Sequence, residues 1–252
     1  MGPIKERLNK AKKTIKHFPN QIHWMGGGYN SAAVAARLIL DEKIIALPTD
    51  TIYGLAGLAQ SNTAIHNLYD IKKRDLNKPL AICLGDVKDI ITWAEVEHLP
   101  TGLIETLLPG PTTIILKRKE ALNPLLNEGV RNVGIRIPKL NFFLSVMKMV
   151  NKPVALTSAN ITQENNTLHP TEFEHLWSKL DGIFYDRPQP SKSKKMNRDA
   201  STVVDLSVQG KFNIFRQGKN CHKTINILKR FNLSEQKEET EESVETKKSE
   251  TS

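Results

Sequence analysis

The sequence predicts one α/β-type domain built on a mixed sheet, and three observations carry that reading. Short β-rich runs alternate with amphipathic segments from Asn30 to about Leu233. A hydrophobic content of 39% over 252 residues is enough for one large core. No internal repeat or clear linker divides the span.

The first helix opens with Asn30 or Ser31 as cap, and Ala35, Leu38 and Ile39 share one face before Lys43. Strand-like runs follow at 43–47, 54–59, 79–84, 112–116, 133–137, 153–157, 202–206 and 212–216. Helices are expected between them at 62–72, 86–94, 141–150, 171–179 and 222–231. Residues 1–29 read as a basic N-terminal arm or transit segment, with "MGGGYN" as a hinge. Residues 30–233 form the domain, and 234–252 a disordered charged tail, because Val244 is its one aliphatic residue.

Composition removes several classes. The longest apolar stretches, "AAVAARLIL" and "KIIALP", stop short of the roughly 20 residues of a membrane span, so no stable membrane insertion is expected. Cys83 and Cys221 lie far apart without CxxC spacing, which argues against a disulfide framework or a zinc site and fits a reducing compartment. The histidines are scattered, so a metal is expected to arrive with a phosphate ligand rather than in a protein cage. The net charge of +9 is uneven, because the tail is acidic while residues 1–23 and 187–198 are strongly basic. An excess of this kind favours nucleotides, nucleic acid or another anionic partner, although a merely soluble surface explains any single patch as well.

Polar clusters recur where the strand-like runs end, the place where open α/β sheets tend to bind ligands. "PTDT" at 48–51 supplies hydroxyls and a carboxylate where a plain connection would use Gly, Asn or Ser. Lys72, Lys73, Arg74 and Lys78 form a basic cluster at a helix end, readable as dipole complementation or as a polyphosphate clamp. "TSAN" at 157–160 offers Ser158 and Asn160 either as caps or as anion contacts. "PGPTT" carries Thr113 after a turn signal, and Arg136 interrupts the apolar "VGIRIP", requiring an anion from the protein or from a ligand. Ser201, Thr202 and Arg216 make a last group. Neither GxxxxGK[ST] nor GxGxxG is present, and neither GxSxG nor a Cys/His pairing supports covalent catalysis. The chemistry left is positioning and charge stabilisation around a nucleotide.

In order, "ALPTDTIYGLA", "IKKRDLNKPLAICL", "LLPGPTTIILKR", "VGIRIP", "PVALTSAN" and "STVVDLS" resemble the YrdC-like family of L-threonylcarbamoyladenylate synthases over about residues 31–218. The resemblance is to the short, single-domain animal form. It implies a twisted mixed parallel and antiparallel sheet of about seven strands flanked by helices, with a concave basic ligand site. The implied reaction converts ATP, L-threonine and bicarbonate to threonylcarbamoyl-AMP and pyrophosphate. A tRNA-threonylcarbamoyl transferase complex would then use the product, in the cytoplasm or also in the mitochondrion. Carried over by position, Thr49, Thr51, Arg136 and Ser201 would hold L-threonine, with Arg136 on its carboxylate. Lys72, Arg74, Lys78, Thr113, Ser158, Asn160 and Arg216 would bind ATP, with Lys72 and Arg74 as catalytic residues. Mg2+ would be held mainly through the ATP phosphates. Asp50 is left unassigned, since its carboxylate can also brace the loop.

Three departures stand out. "ITQENN" follows "SAN" where the family often has Ser-Gly, "RQG" replaces Arg-Pro-Gly, and the loop before "STVV" is the basic "RPQPSKSKKMNR". That loop is expected to fold over the ATP phosphates or to meet tRNA. Two other classes compete: a non-catalytic module binding tRNA or double-stranded RNA, and a carbamoyl-group enzyme with another acceptor. The basic loop holds no aromatic residue, so stacking on unpaired bases is poorly supported.

Overall fold

The computed structural model describes residues 4, 22–25, 29–73, 79–162, 164–185 and 197–236. Arg74, Lys78, the loop at 187–196 and the tail beyond 236 lie outside the described residues. The strands are Ile22–Met25 (β1), Ile45–Leu47 (β2), Gly54–Leu58 (β3), Ala81–Cys83 (β4), Thr112–Lys117 (β5), Asn132–Arg136 (β6), Val154–Ser158 (β7), Gly182–Tyr185 (β8), Thr202–Asp205 (β9), Lys211–Arg216 (β10) and Ser234–Glu235 (β11). They join one sheet in the order β1-β8-β2-β3-β7-β4-β6-β5-β9-β10-β11. Pairing is mixed: β4 runs parallel to β6 and β5 to β9, while β2–β3, β3–β7, β4–β7, β5–β6 and β9–β10 are antiparallel.

All eight expected strand runs occur, and the sheet is larger than the expected seven or so. The additions are β1, β8 and β11. β1 and β11 fall outside residues 30–233, and the apolar run "GIFY" of β8 is cut to four residues by Asp181 and Asp186, shorter than the runs of five or six that mark the other strands.

Helix Asn62–Lys72 lies as expected, because Ser61 caps it by accepting the amide of Ala64 at 3.1 Å and Lys73 closes it in the left-handed region at φ 45°. Helix Asn141–Val150 turns six residues, from Phe142 to Val150, into the core and also ends on a left-handed residue, Asn151. It packs on helix Tyr29–Leu40, whose alanines permit close approach. The expected helix at 171–179 is instead a 3-10 segment, Pro170–Lys179, interrupted at Phe173 (φ −130°, ψ 34°). The span 86–94 is likewise split into Val87–Asp89 and Ile90–Trp93, and helix Leu103–Leu107 was not expected. Helix Cys221–Arg230 covers the far end.

Candidate active site

A cavity of about 430 Å³ opens over the middle of the sheet. Its floor is one face of the central strands rather than their ends. Asn132, Gly134 and Arg136 of β6 line it, as do Thr113 and Ile115 of β5, Val203 and Asp205 of β9, and the consecutive Leu156, Thr157 and Ser158 of β7. The β5, β6 and β9 sets are spaced by two, the repeat that puts side chains on one face of a strand. The intervening Val133, Ile135 and Ile114 are buried in the core on the opposite side. Polar strand-end motifs therefore enter the site because their connections fold over this face.

The connection at 48–53 is the first wall. Thr49 Oγ1 donates to the carbonyl of Ile52 at 2.7 Å and accepts the amide of Thr51 at 3.1 Å, so the turn is tied by its own hydroxyl. Arg136 Nη2 then donates to Asp50 Oδ1 at 2.6 Å, to Thr51 Oγ1 at 2.6 Å and to Thr49 Oγ1 at 3.3 Å. The Arg136–Asp50 pair is nearly dry, with the side chains 7% and 11% exposed. Asp50 thus braces the loop through a guanidinium and not through backbone amides. The pair is only half satisfied, since Asp50 Oδ2 and Arg136 Nε are buried without a hydrogen-bond partner.

The second wall is a chain of three groups. Thr113 Oγ1 and Ser201 Oγ are 2.8 Å apart, and Arg216 donates to Ser201 from Nη2 (3.0 Å, to Oγ) and from Nε (3.1 Å, to the carbonyl). Register breaks between Ile214 and Arg216, and this bulge lets two consecutive residues, Phe215 and Arg216, both line the cavity. Gly218 lies close behind Ser201: a Cβ there would lie 2.4 Å from the Ala200 carbonyl oxygen and 2.5 Å from the Ser201 carbonyl. Those neighbours are backbone and cannot yield, so "RQG" keeps its glycine for space.

The third element is the turn after β7. Lys72 is 2% exposed, and its ammonium donates to Ser158 O (2.8 Å), Ser158 Oγ (3.2 Å), Asn160 Oδ1 (2.8 Å) and the Asn160 carbonyl. Ser158 also donates to Asn160 Oδ1 at 2.6 Å. Lys72 is therefore turned into the "TSAN" turn. Ser158 lines the cavity, whereas Lys72, Thr51 and Asn160 stand behind the lining residues.

The structure thus brings Thr49, Thr113, Arg136, Ser158, Ser201 and Arg216 to one cavity. Asn132, Asp205 and Asn166 also line it and were missed. Polar residues spaced by two with Arg136, as Asn132 is through Gly134, were the available signal. Asn166 and Arg198 clasp one another at the rim, with Asn166 Nδ2 to Arg198 O at 2.9 Å and Arg198 Nη1 to Asn166 O at 2.6 Å. Among the described residues, no group of three or more His, Cys, Asp or Glu is gathered to hold a metal ion. No helix of the described residues is long and apolar enough to cross a membrane.

Cys83, register partner of Arg136, is fully buried, and burial pushes its thiol up to about 12 from an ordinary 9.0, with Arg136 lowering it and Asp50 raising it. Above pH 9 the unfolded chain loses this proton while the native state keeps it, so stability falls as pH rises towards 12. Urea unfolding between pH 9 and 11 is expected to show an extra loss approaching 1.4 kcal/mol per pH unit, roughly, relative to Cys83→Ala. Parallel curves for the two proteins would contradict this.

Fold and site together define an α/β protein with a small-molecule cavity lined by hydroxyls and guanidinium groups. The model of the Sua5/YciO/YrdC family, described as "Telomere recombination", matches residues 37–218, and the chain belongs to that family. It is 42% identical over 208 residues to the threonylcarbamoyl-AMP synthase of Bos taurus, covering 82% of this chain and 75% of the bovine protein. With the Mus musculus protein of the same name, identity is 44% over 185 residues, covering 73% and 66%. Two solved structures are similar in fold: P. abyssi Sua5 complexed with L-threonine (TM-score 0.71, 22% identity, 86% of this chain and 62% of that one) and E. coli YciO (TM-score 0.67, 20% identity, 79% and 94%).

Proposed function

We propose that this chain is an L-threonylcarbamoyladenylate synthase, a nucleotidyltransferase that makes threonylcarbamoyl-AMP and pyrophosphate from ATP, L-threonine and bicarbonate. Family membership and the names of its relatives support the activity. The observation that carries it is that the Thr49–Arg136 wall and the Thr113–Ser201–Arg216 wall face a single cavity. In this reading L-threonine lies against Thr49 and Arg136, with Thr51 behind them on Arg136, and ATP spans Ser158, Thr113 and Arg216. Ser201, bonded to both Thr113 and Arg216, stands where the two substrates meet. Lys72 acts by holding Ser158 and Asn160, and Arg74 and Lys78 take the phosphates.

The chain's task is orientation. The amine of threonine and bicarbonate combine to a carbamate with loss of water, the carbamate oxygen attacks the α-phosphate as pyrophosphate leaves, and aligned groups lower that barrier by removing the entropy of encounter. Mg2+ enters as part of the ATP substrate, in keeping with Asp205 as the acid among the lining residues. The product would pass to a tRNA-threonylcarbamoyl transferase complex in the cytoplasm or mitochondrion. A purely RNA-binding role is not favoured, since the relatives are named as synthases.

The test follows pyrophosphate with purified protein, ATP, L-threonine and bicarbonate. Release is expected only with all three substrates and is abolished by Arg74→Ala; release indifferent to threonine would sink the assignment.

A further inference from the structure

Lys219 follows Gly218 directly, and its side chain reaches the first wall, where Nζ donates to the backbone carbonyl of Asp50 at 2.7 Å. The two residues are 169 positions apart. Asp50 is thereby fixed at both ends, by Arg136 on its carboxylate and by Lys219 on its carbonyl. Thr49 and Thr51 flank it.

The position of this lysine is otherwise unfavourable. It precedes Asn220 and helix Cys221–Arg230, whose first turn carries no acid, and a cation next to a helix N-terminus meets the positive end of the dipole. A compensating contact is therefore needed, and the Asp50 carbonyl supplies it. The main chain of Lys219 is held independently: its amide donates to Ala200 O at 2.8 Å, and its carbonyl accepts Thr202 Oγ1 at 3.1 Å. A change of side chain leaves that pairing intact.

We infer that Lys219 is a positioning residue for the amino-acid side of the site, acting through the Asp50 carbonyl to set the hydroxyls of Thr49 and Thr51. The inference rests on the function proposed above. It also makes the segment Arg216–Lys219 a bridge between the walls, since Arg216 holds Ser201 while Lys219 holds the loop at 48–53.

The experiment compares the full chain with Lys219→Met and Lys219→Arg. L-Threonine affinity is measured by titration calorimetry, and the KM values for threonine and ATP in the pyrophosphate assay. Lys219→Met is expected to raise the threonine Kd and KM about tenfold with the ATP KM within about twofold, the loss of one positioned contact. Lys219→Arg, which still donates to a carbonyl, is expected to restore most of the affinity. The inference is overturned by an unchanged threonine Kd, by threonine and ATP weakening in parallel, or by failure of Arg to rescue. A Met variant that does not fold overturns it too, because the role would then be structural. A wild-type chain without threonine-dependent turnover defeats the proposed function itself, whereas normal turnover in wild type and Lys219→Met alike defeats only the inference.

Discussion

Arg136→Ala is expected to lower the free energy of unfolding by about 3–5 kcal/mol, the cost of leaving one member of a buried ion pair alone. The residue left is Asp50, already with one oxygen unpartnered and with its other oxygen and the Thr51 hydroxyl losing their guanidinium donor. For a domain of this size each kcal/mol moves the melting temperature by roughly 2–4 °C, so a drop of about 10 °C should be visible by calorimetry. The double change Asp50→Asn with Arg136→Met removes both charges and is expected to recover most of the loss. If Arg136→Ala melts with the wild type, the pair does not hold the loop. Activity should vanish in both variants, because the proposed carboxylate contact is gone either way.

Lys72→Met is expected to cut kcat/KM for ATP by two orders of magnitude or more, roughly the effect of moving substrate-positioning groups by about an ångström. The ammonium is the common donor to four oxygens of Ser158 and Asn160, and an apolar replacement leaves buried acceptors unmatched at about 1–3 kcal/mol each. Lys72→Arg is expected to fail as well, since a planar fork cannot address oxygens that converge on one point. Steady-state kinetics with urea unfolding on the same samples separates the two effects. Full activity in Lys72→Arg would show that only the charge matters.

Local signals were the legible part of this molecule. Helices Asn62–Lys72 and Asn141–Val150 carry an apolar stripe, and eight of the strands fall within strand-like sequence runs of five or six residues. The apolar run at Gly182–Tyr185 stops at four residues between Asp181 and Asp186, and the helix Leu103–Leu107 is shorter than the windows in which a helical period can be read. The site was legible as residue types and not as geometry. Arg136 plainly needed an anion, yet the one it meets in the protein lies 86 positions away, and no local pattern encodes that distance. Lys72 reads as one of a basic cluster at a helix end, but the turn that absorbs it arrives from β7, the strand's antiparallel partners having brought it there.

The floor of the cavity has an evolutionary corollary. In β6, Asn132, Gly134 and Arg136 face the ligand space while Val133 and Ile135 are buried behind them, so neighbouring codons carry different physical constraints. A change at Asn132 would retune the cavity with little effect on the scaffold, a change at Val133 or Ile135 would erode the scaffold, and Arg136 answers to both, since it lines the cavity and braces Asp50.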